Sequence, residues 1–132
     1  MPFDAQALFA NLAEKERIKG HHSPEGRAIR TLSRALSGWS SGNLSDRDVV
    51  VLCDQAVEDW LKARLKRSSW SVHSLPALLP DAVANHWITQ TDGDRLLGLH
   101  ESRAGADETQ EISAQEVEAA LEFSIELIDK HW

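Results

Sequence analysis

Between Ser45 and Lys66 the chain places Val49, Leu52, Cys53, Ala56, Val57, Trp60, Leu61 and Leu65 at spacings of three and four residues. At 3.6 residues per turn these side chains cover a face wider than one neighbouring element can bury. The segment therefore predicts a long central helix with partners on more than one side. Ser45 stands where an N-cap belongs, and Asp46 and Asp48 follow in the first turn, beside the positive end of the helix dipole. Lys62, Arg64, Lys66 and Arg67 gather at the opposite end, where cations are favoured.

The rest of the chain supplies the partners. Phe3, Ala7, Leu8 and Leu12 predict a first helix over 3–19, closed by Gly20. Ile29, Leu32, Leu36 and Trp39 make one stripe of a second helix over 24–39. After a serine-rich connection, Pro76 and Pro80 predict short helical pieces, because a proline inside a helix removes a hydrogen bond. The pattern predicts one helix from Asp81 to Ile88, a break over Gln90–Asp94, and another helix from Asp94 to Arg103. Ser113 and Glu116 have capping-box spacing, and they open a terminal helix with Val117, Ala120, Leu121, Ser124, Ile128 and Trp132 on one side. No alternating strand pattern of useful length occurs. The expected fold is an all-α antiparallel bundle of five to six helices, in one domain over 1–132.

Charge bounds the partners. The net of −7 is unevenly spread: residues 1–70 carry +2 and residues 71–132 carry −9. A chain so acidic is a poor nonspecific ligand for nucleic acid, whose phosphates need clustered cations, so such binding would require a local basic face. Arg27, Arg30 and Arg34 share one side of the second helix, and with Lys62, Arg64, Lys66 and Arg67 they could form that patch or remain a solvated face. The patch could equally meet Glu116, Glu118, Glu122 and Glu126 of a second copy. The N-terminal segment lacks the basic and apolar regions of a secretory signal, and no apolar run approaches a membrane span. With Cys53 as its one cysteine the chain can form no internal disulfide, which fits a cytoplasmic setting.

Three features resemble sites without the partners a site needs. His21 and His22 are adjacent on a turn and lack a cysteine or carboxylate at ligand spacing, so no metal is expected there. Asp92-Gly93-Asp94 resembles part of a calcium loop but lacks the remaining ligands, and helix capping accounts for it better. Cys53 lies on an apolar face and reads as a small buried hydrophobe.

Four features, in order, resemble the HEPN superfamily over residues 45–131: the long helix with Val49-Val-Val-Leu-Cys-Asp-Gln-Ala-Val-Glu-Asp-Trp-Leu-Lys-Ala-Arg-Leu65; the introducing segment Ser74-Leu-Pro-Ala-Leu-Leu79; Leu96-Leu-Gly-Leu-His-Glu-Ser-Arg103; and the closing helix from Ile112 to Ile128. The resemblance implies a helical bundle that dimerises. In active members, an arginine and a histidine four to six residues beyond it, contributed by both copies, cleave RNA without metal or cofactor, with the ribose 2′-hydroxyl as nucleophile.

Here the arginine position is Arg103, and residues 104–110 contain no histidine. Glu108 stands in the window, and Ala104 occupies a place where the family usually carries a polar residue. A neutral imidazole exchanges protons near pH 7 and, once charged, tolerates a phosphate, whereas an ionised glutamate repels it. The resemblance thus implies a noncatalytic module, a homodimer that binds a protein partner or a nucleotide-like ligand. One alternative is a divergent ribonuclease that uses Arg103 with His100 or Glu108; His100 lies one helical turn before Arg103. Another is a partner subunit of a nucleotidyltransferase-type protein, which members of the family often accompany. Arg103 also has a structural reading, as a cation at a helix C-terminus.

Overall fold

The computed structural model describes residues 4–20, 23–65, 75–106 and 113–130, with side chains for all of these except 75, 99 and 102–106. The described residues form six helices and no strand: α1 Ala5–Lys19, α2 Pro24–Ser40, α3 Asp46–Arg64, α4 Leu75–Ala84, α5 Gln90–Ala106 and α6 Ala114–Lys130. The all-α bundle read from the sequence is the fold observed. None of these helices is long and apolar enough to cross a membrane.

Local chemistry starts most of the helices. Asp4, Ser23 and Ser45 each accept a hydrogen bond from a first-turn amide, those of Ala7, Gly26 and Asp48, and so satisfy a donor with no partner inside the helix. Pro24 follows Ser23 at the one place in a helix where its missing N–H costs nothing. Ser113 caps α6 through the amide of Glu116, as the capping-box spacing predicts.

The middle of the chain departs from the sequence reading in two places. A single helix runs from Leu75 to Ala84 straight through Pro80, where short pieces and a helix over 81–88 were expected. Proline at this point removes one intrahelical bond, which the burial of Leu78, Leu79 and Ala82 on either side of it offsets. The expected break over Gln90–Asp94 is instead the first turn of α5. Its start comes from a residue the pattern did not weigh: the Thr89 hydroxyl accepts from the Asp92 amide at 3.1 Å. Asp92 thereby falls in a first turn, where a carboxylate is favoured. Its pKa is lowered: burial pushes it up, but the hydrogen bonding from Thr89 and the Lys130 ammonium outweigh that.

The turn joining α4 to α5 is made by His86 in the left-handed region, at φ 61°. His86 N–H bonds the Val83 carbonyl and Trp87 N–H the Ala82 carbonyl, so carbonyls at the end of α4 gain donors. A side chain with a Cβ is strained there, and glycine is not. His86→Gly is therefore expected to raise stability by about 0.5–1 kcal/mol in urea denaturation. A loss of stability would mean that the exposed His86 side chain holds the turn.

The core runs along α3. That helix packs against α2, α4, α5 and α6, as its wide apolar face demands. Val49, Val50, Cys53, Ala56, Val57, Trp60 and Leu61 are all buried in it. α2 contributes Ile29, Leu32 and Leu36, and α6 contributes Val117, Leu121, Leu127 and Ile128. Charged ties fasten the outer helices. Lys15 Nζ of α1 lies 2.6 Å from Asp129 of α6, and Lys130 of α6 lies 3.5 Å from Asp92 of α5.

Candidate functional site

The stripe of α3 that faces the interior passes through Val50, Asp54, Val57 and Leu61, at steps of four, three and four residues. Three of the four are apolar and Asp54 is not, yet its exposure is 0%. On α5 the inward stripe is Asp92, Leu96 and His100, again at steps of four. The packing of α5 against α3 brings the two polar positions together. His100 Nδ1 lies 3.2 and 3.3 Å from the two carboxylate oxygens of Asp54.

Burial explains why such a contact is required. A carboxylate stripped of water is strongly destabilising unless charged or hydrogen-bonding groups surround it. The imidazole supplies an N–H to the carboxylate and stays at the rim, with its side chain 28% exposed. Once Nδ1 is committed to Asp54, the ring orientation is set, and Nε2 is the nitrogen left to meet an incoming group. The carboxylate also favours the tautomer with the proton on Nδ1, which leaves a lone pair on Nε2.

Arg103 follows one turn later within α5. Glu108 lies outside the described residues, as do His21, His22, Lys66, Arg67 and the 107–112 segment. Cys53, beside Asp54 in sequence, takes no part in such chemistry. Burial pushes its thiol up to about 12, against a smaller opposing effect of the Ser124 hydroxyl. It remains a neutral core residue. The described residues contain no group of three or more histidine, cysteine or carboxylate side chains arranged to hold a metal ion.

The basic residues have two different fates. Arg27 and Arg34 stand exposed on α2, and Arg30 Nε, also on that helix, lies 3.2 Å from a Glu16 carboxylate oxygen of α1. Lys62 is buried and lies 3.7 Å from Glu58. Arg64 lies over two tryptophan rings, its guanidinium carbon 5.2 Å from the Trp60 ring centre and 5.3 Å from that of Trp87. Glu25 of α2 lies 3.6 Å from the same guanidinium. Cation–π contacts of this kind suit arginine and fasten the end of α3. Among the described cations, then, Lys62 and Arg64 are drawn into the structure, while the α2 arginines face outward.

Asp54 is the site residue that reading for motifs passes over. A signal for it exists: it is an acid set four residues from Val50 and three from Val57, inside an otherwise apolar stripe. Compared with protein-family models, curated proteins and solved structures, the chain matches none of them.

Proposed function

We propose that this chain is a noncatalytic, HEPN-like binding module that acts as a homodimer and takes a nucleotide-like ligand at the end of α5, around His100. The observation that carries this reading is the buried Asp54 carboxylate held against a rim histidine. An imidazole oriented from behind, with an arginine one turn further along its helix, suits a nucleotide-like ligand: the outer ring nitrogen can accept from a ribose hydroxyl or a base N–H, and the arginine carries a planar fork of donors for a phosphate. Cleavage asks for more. A proton must be taken from one oxygen and given to another, and residues 104–110 contain no second histidine for that exchange.

A ribonuclease reading has one observation in its favour, since a carboxylate that fixes a histidine tautomer also serves a general base. One experiment separates the two. The protein is incubated with a mixed RNA pool in chelator, and mononucleotide binding is followed in parallel by calorimetry, both with wild type and with His100→Ala. The expected outcome is no cleavage above a heat-killed control, together with nucleotide binding weakened about tenfold by the substitution. Cleavage that disappears in Arg103→Ala would establish the ribonuclease instead. Absence of any nucleotide binding would transfer the role to a protein partner. Glu108→His adds a further arm: cleavage gained by that change alone would mean the scaffold keeps the family's geometry and lacks only the residue. Sedimentation of the wild-type protein at micromolar concentration is expected to give twice the monomer mass, and a strictly monomeric particle would remove the dimer.

A further inference from the structure

Two clefts open on the side of the bundle formed by α1, α2 and the loop between α2 and α3. The first, of about 470 Å3, has a mostly apolar surface: Ala5, Phe9 and Ala10 of α1 face Leu36 of α2 across it, with Gln6 and three serines also lining it. The second, of about 440 Å3, is lined by Arg30, Ser33 and Arg34 of α2 and by Asn43 of the loop. They meet at Phe9, Ser37 and Ser41, which line both. Phe9 sits at this junction with 46% of its surface exposed, so its ring is open to a ligand from either cleft.

The wall of the second cleft is built into the fold. Gly38 lets Leu44 lie directly on α2, because a Cβ at that position would come within 2.3 Å of the Leu44 side chain. The amides of Asn43 and Leu44 both bond the Gly38 carbonyl, at 2.8 and 3.0 Å, and hold the loop back against the helix. None of the described residues lining this cleft is acidic. Arg30 is already beside Glu16 at 3.2 Å, whereas the exposed Arg34, one turn further on, has no carboxylate partner among the described residues. An apolar trough thus leads into a pocket whose rim carries an uncompensated guanidinium and serine hydroxyls.

We infer that the joined clefts bind a small amphiphilic anion: a saturated chain of medium length lies between α1 and α2, and its acidic head, a carboxylate or a phosphate monoester, meets Arg34. The chain displaces water from alanine and phenylalanine surface, and the head receives charge-assisted hydrogen bonds from the guanidinium and hydroxyl donors of Ser33 and Ser37. The trough ends at a surface, so the ligand is a free amphiphile and not a lipid buried whole.

The test is calorimetry on the full chain with four probes below their micellar concentrations: decanoate, decyl phosphate, decanol and inorganic phosphate. The expected result is micromolar binding of decanoate or decyl phosphate, at least tenfold weaker binding of decanol, and no binding of inorganic phosphate. The stronger of the two anions identifies the head group. Arg34→Ala should weaken the anion about tenfold and leave decanol unchanged. Phe9→Ser, at an exposed position that tolerates the change, should weaken the anion and decanol alike. Equal affinity for decanol and decanoate, indifference to Arg34→Ala, or no anion binding below millimolar concentration would each overturn the inference. Amide shifts at Ser37 and Gly38 on titration locate the site, and shifts confined to α5 would overturn it as well.

Discussion

Trp60→Ala is expected to cost roughly 3–5 kcal/mol of folding stability, the loss typical of deleting a fully buried aromatic side chain. Trp60 has 0% exposure on the helix that touches four others, and its ring also supports the Arg64 guanidinium at 5.2 Å. The substitution therefore opens a cavity and takes away one of the two indole rings beside Arg64, leaving Trp87 and Glu25 near that cation. Urea denaturation should show a lower midpoint at an unchanged slope, and thermal melting a fall of roughly 10–20 °C. A cost below about 1 kcal/mol would show that the indole lies outside the packed core.

The second large effect belongs to Asp54 and His100. His100→Ala leaves a buried carboxylate without its imidazole, and the expected destabilisation is about 1–3 kcal/mol at neutral pH. Asp54 keeps other interactions, and His100 is partly solvated, so the cost falls below that of breaking a fully buried ion pair. The informative variant is the double substitution Asp54→Val with His100→Leu, which replaces both polar groups with apolar ones. It is expected to regain most of the stability lost in His100→Ala, because an apolar pair of similar volume has no charge to desolvate. Such recovery would mean that the polar pair is dispensable for folding, as a ligand site requires. If the double variant is instead less stable than either single one, the pair is a structural clasp and the functional reading of His100 fails.

The two predictions differ in what they ask of the chain. Trp60 belongs to a pattern that any packed bundle would need, and its burial follows from the periodicity of α3 alone. Asp54 breaks that pattern. The break is visible in the stripe from Val50 to Leu61, but its resolution is not, because the partner lies 46 residues away on another helix.

Sequence by itself determined the helical class, the central place of α3 and several of the helix starts. Those properties depend on spacing along a helix and on caps within three residues, and both are local. It fell short where neighbours decide. Pro80 looks like a helix breaker, yet α4 runs through it because Leu78, Leu79 and Ala82 are buried around it. Thr89 starts α5 earlier than the apolar pattern indicates, since a cap depends on one hydroxyl and leaves little periodic trace. Likewise a run of cations reads as one basic patch, but tertiary contacts divide it: Arg64 is held over two tryptophan rings, while Arg34 stands exposed at a cleft. Which charges are neutralised and which polar side chains meet is set by distances between helices, and those come into existence only when the bundle closes.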